Sequence, residues 1–271
     1  MGLAVVPLLL AFLDVFFGKH SSLSHACLEV DPICELLVPM PYDSAHDPLW
    51  ENILTLEGQN HFLTLLSRMK PGGVVWFAPP CNSWIVSFQS HYGRSAGHPE
   101  GKHRDCQEYN DMAEFIAYAI CACTALGLLF VVENPLSSWL FEYRALATAF
   151  RELVAKPCFV ALGKAGHETL KPLRLMGTAP WLANLEAAVS TGASGAGKTL
   201  STRVHNGWTG KAAAMDESRE YPHEFCMFVA KLHMRHLRDL ANGAPSGGQR
   251  PSKIRAKWAR ELARAELTDA A

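Results

Sequence analysis

The sequence predicts a Rossmann-like α/β fold, a doubly wound and mostly parallel sheet, on three observations. Three short runs are apolar without alternation: residues 11–17 (AFLDVFF), 74–78 (VVWFA) and 128–132 (LLFVV). Each ends on a turn-forming segment: Gly18, Pro79-Pro80 and Glu133-Asn134-Pro135. Segments of helical spacing lie between them. Strands apolar on both sides need cover on both faces, which parallel sheets flanked by helices provide. In such sheets ligands gather beyond the carboxyl ends of the strands, so the residues just past these runs are the ones to inspect.

In chain order, residues 11–17 read as the first buried strand, and Ser21 or Ser22 as the cap of a helix over 23–29. Residues 35–42 are apolar with two prolines and read as a weak strand. Leu56, Phe62, Leu63 and Leu66 give helical spacing over 56–69, with Pro71-Gly72-Gly73 as its stop. The strand at 74–78 leads into a long polar segment, 82–104, of the kind that is mobile or functional. A long helix over 105–126 is stopped by Gly127, and the strand at 128–132 is followed by a helix from Ser137 or Ser138 to about 154. Residues 159–208 look irregular, apart from a helical stretch at 181–188. A last helix runs over 221–240 behind Pro222, followed by a Gly/Pro/Ser linker. The domain reading is a core at 1–158, a small substrate-facing region with a helix returning to the core at 159–241, and a linker with a basic amphipathic tail helix at 242–271.

With 271 residues, 49% of them hydrophobic, the chain has apolar material for one large core. A net charge of −1 gives no global field to recruit nucleic acid, so such a partner must meet a local patch. The eight cysteines form no CxxC pair and no disulfide framework, which points to thiols in an intracellular setting, the nucleus included. The apolar start has no Lys or Arg before it, is interrupted by Asp14, lacks a small-residue cleavage site and is short for a span, so neither export nor a membrane partner is expected. Val6 stands where N-myristoylation needs Ser or Thr. Oligomeric state leaves no mark in the sequence.

Two strand tips carry chemistry. Pro79-Pro80 restrict the turn after 74–78 and present Cys81; the tip after 128–132 presents Glu133. A thiol and a carboxylate at neighbouring tips suit a nucleophile and its acid partner. Here the chain resembles the cytosine-C5 methyltransferase family, and more closely its divergent algal relatives. Residues 12–18 (FLDVFFG) followed by 23–26 (LSHA) are similar to the family's first S-adenosylmethionine (SAM) motif, Pro79-Pro80-Cys81 to its catalytic motif, and Glu133-Asn134-Pro135 to its Glu-Asn-Val motif, in the family's order. The resemblance covers about residues 11–155. It implies a SAM-dependent methyltransferase fold, SAM as cofactor, and nucleic acid as partner, DNA ahead of RNA. It implies that Cys81 adds to C6 of cytosine, that Glu133 binds the N3 edge, and that Arg94 meets the base or a phosphate. Asp14, Phe16, Gly18 and Pro79 would border SAM, and Asp43, after the second strand, would take its ribose hydroxyls. A flipped base would be covered by the 82–104 loop. Lys19 and His20 stand where the family carries further glycines, Pro135 replaces its Val, and its Gln-x-Arg-x-Arg motif has no copy here.

Other readings are weighed beside this one. A catalytically silent relative would use the same fold and basic tail for binding alone. Residues 192–199 (GASGAGKT) match a phosphate-loop pattern, but such a loop needs a buried strand before it and a helix after it, and the flanks read otherwise. His91, His98, His103 and Cys106 match no common closed zinc spacing, and no metal is expected. In the tail, Arg250, Lys253, Arg255, Lys257, Arg260 and Arg264 surround an apolar stripe of Ile254, Trp258 and Leu262, which suits phosphates, an acidic partner or a solvated face.

Overall fold

The computed structural model describes residues 9–18, 21–190, 201–204, 207–210 and 220–244. Lys19, His20, the phosphate-loop pattern at 192–199 and the basic tail lie outside the described residues.

The chain forms an α/β fold on a six-stranded mixed sheet. In sequence order the elements are β1 (Leu10–Val15), α1 (Ser22–Val30), β2 (Pro39–Tyr42), α2 (Leu56–Ser67), β3 (Met69–Phe77), α3 (Gln89–Tyr92), α4 (Cys106–Leu126), β4 (Leu129–Pro135), α5 (Arg144–Glu152), β5 (Lys156–Ala161), β6 (Pro172–Gly177), α6 (Leu182–Ser190), the hairpin strands β7 (Ser201–Val204) and β8 (Gly207–Gly210), and α7 (His223–Ala241). The sheet order is β2-β1-β3-β4-β6-β5; β1 to β4 are parallel, and β6 runs antiparallel to both its neighbours.

Strand alternation divides the core. Leu13, Val75, Phe77, Phe130 and Val132 face a layer of α2, α4 and α5, through Phe62, Ile116, Ile120 and Phe150 among others. Phe12, Val74, Trp76 and Val131 face a layer of α1, α6 and α7, through Leu23, Leu185, Phe225 and Val229. Buried His233 on α7 places Nε2 3.0 Å from the Ala11 carbonyl; a carbonyl only accepts, so this nitrogen carries the proton. Burial lowers the His233 pKa to about 3, so a neutral ring ties α7 to β1.

Several expectations are met and several corrected. Gly127 ends α4 in the left-handed conformation (φ 76°), where its N–H caps the Cys123 and Thr124 carbonyls. Pro71-Gly72-Gly73 does not stop the second helix. That helix ends at Arg68, and the three residues lie inside β3, where a register shift against β1 accommodates them. Neither Ser21 nor Ser22 caps α1: Ser21 has a left-handed backbone with no capping bond, and Ser22 turns its hydroxyl to Glu220. Thr55, which drew no notice in the sequence, caps α2 by accepting from Gly58 N–H at 3.1 Å. Ser138 caps a single 3-10 turn before α5.

Two corrections change the architecture. Glu133-Asn134-Pro135 does not terminate the fourth strand but extends it, because β6 pairs Leu175, Arg174 and Leu173 alongside those residues. The stretch after Phe159 is not irregular throughout: β5 and β6 complete the main sheet. On the edge strand β5, exposed Lys156 and Phe159 flank the buried Cys158, which blurs the apolar period there.

The 82–104 segment is likewise not a free loop. Arg94, expected to meet a phosphate or base, is fully buried. Its guanidinium lies 3.5 Å above the centroid of the Trp84 ring and donates to the Pro99 carbonyl, Asn110 Oδ1 (2.9 Å) and Ser83 Oγ (3.1 Å). A forked donor is what so many scattered acceptors require, and Arg94 acts as the internal post of the segment. We predict that Arg94→Met, which keeps the stem but orphans those acceptors, lowers unfolding free energy by about 3 kcal/mol in urea titration, and that Lys at this position does not restore it.

Candidate active site

The connection through α1 carries the chain from β1 to β2 on one side, and α2 returns it to β3 on the other. The crevice beyond the carboxyl ends of β1 and β3 is therefore the topological switch point of the sheet. Its β1 side is built from Phe16, Phe17 and Gly18. Phe16 holds φ at 65°, a strained setting for a bulky residue, while its N–H continues the ladder to the Tyr42 carbonyl at 2.9 Å. Gly18 (φ 70°) donates its N–H to Asp43 Oδ2 at 3.2 Å. Asp43 follows β2, and its other oxygen accepts from Ala45 N–H at 2.8 Å. A Cβ built on Gly18 would stand 3.5 Å from Glu220 Oε1, so Glu220 borders the same corner.

On the β3 side, Pro79 is buried, Pro80 exposed and Cys81 half-buried. The register pairs Phe77 with Val132, so Cys81 follows that rung by four residues and Glu133 by one, on adjacent parallel strands. The tips are tied directly: Asn134 Nδ2 donates to the Pro79 carbonyl at 2.9 Å. Asn134 Oδ1, also buried, has no hydrogen-bond partner among the described residues. The chain after Cys81 is anchored by Trp84 N–H to the Cys81 carbonyl (2.9 Å) and Trp139 N–H to the Trp84 carbonyl (2.9 Å).

Asp14, Trp76 and Glu133 lie on the α1/α7 side of the sheet. Asp14 is 2% exposed and accepts from Ser24 Oγ at 3.4 Å. Burial, reinforced by Asp43 and Glu220, raises its pKa to about 7 despite the Ser24 bonds. Glu133, 7% exposed, is also held above the usual carboxylate range by burial, against the opposing pull of Lys171 and Tyr221. The Tyr221 hydroxyl, from the turn before α7, lies 2.5 Å from Glu133 Oε2 and 3.2 Å from Trp76 Nε1.

Of the residues singled out in the sequence, Asp14, Phe16, Gly18, Asp43, Pro79, Cys81 and Glu133 all lie at or just beyond the carboxyl ends of β1 to β4; Arg94 is fully buried, with its guanidinium held by Ser83, the Pro99 carbonyl and Asn110. Tyr221, Trp76 and Glu220 escaped the sequence reading. An indole in a buried strand was the one available sign, since its N–H demands a partner. A surface hollow of about 430 Å³ between α2 and α4, lined by Gln59, Leu63, Asp111 and Phe115 among others, contains none of the predicted site residues. On the far edge of the 82–104 segment, exposed His91, His103 and Asp105 bring ligand-type atoms within 4.8 Å of one another, whereas Cys106 is buried against the Tyr92 carbonyl. The segment before the phosphate-loop pattern is α6, not a strand. Among the described residues no helix is long and apolar enough to cross a membrane.

The raised pKa of Asp14 makes stability depend on pH. Between its unfolded value, about 3.9, and its folded value, about 7, the folded state holds more protons, so stability from this group is full below the lower value and lost as pH rises through the upper. Asp14→Asn removes that loss. The variant's advantage over wild type in chemical denaturation should widen from pH 4 to pH 7, to an upper bound of about 4 kcal/mol, and then level off. Compared with known proteins, the chain matches no family model and no curated relative.

Proposed function

We propose that this protein transfers a methyl group from S-adenosylmethionine to C5 of cytosine in nucleic acid, DNA ahead of RNA, through a covalent adduct of Cys81 assisted by Glu133. The observation that carries this reading is the pair of adjacent strand tips at the switch point: Pro79 to Cys81 on one, Glu133-Asn134 on the other, bonded through Asn134 and Pro79. A buried acid and a half-buried thiol on adjacent strand tips suit the activation of an electron-poor ring for attack.

The residues present suit the cofactor. Asp14, Asp43 and Glu220 give the corner around Gly18 an acidic lining for a sulfonium cation. Asp43 retains lone pairs beyond its bonds to Gly18 and Ala45 for ribose hydroxyls. When bound, SAM supplies an electrophilic methyl group. The chain's own residues do the rest. The Cys81 sulfur loses its proton to solvent and bonds to C6, while Glu133 gives a hydrogen bond at N3 that makes C6 electrophilic; the displaced C5–C6 π pair moves into the ring toward N3 and leaves C5 the nucleophilic carbon of an enamine. Transfer of the C5 proton to solvent water after methylation restores the C5–C6 double bond, breaks the C6–S bond and returns the thiolate.

Calorimetric titration with SAM and trapping on a 5-fluorocytosine oligonucleotide test this. Wild type should bind SAM and form a denaturation-resistant adduct. Cys81→Ser should form none, and Glu133→Gln should slow adduct formation by about a hundredfold, the weight of one positioned acid. Neither SAM binding nor adduct in wild type would leave the fold as a binding module and overturn the catalytic reading.

A further inference from the structure

Three side chains from distant parts of the sequence form one hydrogen-bonded line. The Trp76 indole N–H is a donor only. It lies 3.2 Å from the Tyr221 hydroxyl, so the phenolic oxygen accepts from it. Glu133 Oε2 stands 2.5 Å from the same oxygen, the spacing of a strong O–H···O bond. Trp76 is fully buried and the carboxyl nearly so, which leaves little room for either group to exchange this arrangement for water.

We infer that the line runs one way, Trp76 to Tyr221 to Glu133, and that Tyr221 is a positioning residue which makes Glu133 select bases presenting an acceptor at the ring nitrogen. With the phenolic proton directed at Oε2, that oxygen is committed as an acceptor, and a proton on Glu133 sits on Oε1. The carboxyl then shows its free side as a donor. Cytosine offers a lone pair at N3 and is matched. Uracil and thymine offer N3–H, which meets another donor and is refused, because a buried unmatched donor is costly. The inference rests on the methyl-transfer reading for its substrate; the direction of the line does not, and the titration below decides it, because a phenolic oxygen can accept from Trp76 and from a protonated carboxyl at once. Burial raises the Glu133 pKa, and the Lys171 ammonium and Tyr221 oppose that rise. Lys171 Nζ lies 5.8 Å from the Tyr221 ring centre, Asp14 on β1 acts electrostatically on Tyr221, and Glu220 acts on Asp14. All three charged groups remain in the variants below, so their influence cancels in the comparison.

The test is Tyr221→Phe, which removes one oxygen from a half-buried ring. The carboxyl infrared band of Glu133, assigned by its loss in Glu133→Gln, is followed against pH without substrate. If Tyr221 donates, losing it removes a bond that favoured the ionised form, and Glu133 titrates at higher pH in the variant. A shift to lower pH means that Glu133 donates to Tyr221, and overturns the inference, as does no shift. Trp76→Phe, which frees the Tyr221 hydroxyl to turn, should move the titration in the same direction by less. Adduct formation is then compared on 5-fluorocytosine and 5-fluorouracil oligonucleotides. The preference of wild type for cytosine should fall about tenfold in Tyr221→Phe, the worth of one hydrogen bond to an ionisable group. An unchanged preference overturns the selectivity. The upward titration shift with no adduct on either oligonucleotide refutes methyl transfer and the base selection resting on it, and leaves the direction of the line established.

Discussion

A sheet covered on both faces leaves its strand ends as the places where backbone and polar side chains meet anything but packed carbon. β1, β3 and β4 are buried along nearly their whole length, between α2, α4 and α5 on one face and α1, α6 and α7 on the other. Polar chemistry is displaced to their carboxyl ends. The reversal of direction between β1 and β3 opens those ends into a crevice, and Phe16, Gly18, Asp43, Pro79 and Cys81 belong to its rim because no other location in the sheet accepts them.

Acidic side chains in such a place are held in an uneasy state. Asp14 and Glu133 are both buried, and burial penalises their ionised forms more than their hydrogen bonds favour them. A fold selected for stability alone would place apolar residues there. Burial raises the pKa of both carboxyls, that of Asp14 to about 7, and perturbations of this kind cluster at functional sites. The Trp76–Tyr221–Glu133 line extends the same economy: a strand, a strand tip and the turn before the last helix fix one carboxyl between them.

The segment from Asn82 to Arg104 adds rigidity where a flexible cover had been expected. Arg94 sits inside it on the Trp84 ring, and Trp84 is fastened to Cys81 before it and Trp139 after it. Under the proposed methyl transfer such a mount would limit the positional spread of the Cys81 sulfur. The cationic residue that seemed the obvious partner for a phosphate is instead part of that mount.

What the sequence determined by itself was the layer architecture and the ends that matter. Largely apolar runs at residues 11–17, 74–78 and 128–132 point to strands buried on both faces, and Gly18 and Pro79-Pro80 lie just past the ends of two of them. Residues close in sequence to those ends, Asp14, Gly18, Pro79, Cys81 and Glu133, were therefore readable. Tertiary structure decided what depends on partners remote in the chain. Glu133-Asn134-Pro135 became strand rather than turn because β6 pairs beside it. Arg94 turned inward because Trp84, Pro99 and Asn110 converge on it. Tyr221 joined the site from 88 residues beyond Glu133. Local sequence carries periodicity and turn chemistry, which act over a few residues; hydrogen-bond partners and burial are set by chain segments brought together only when the sheet closes under its helices.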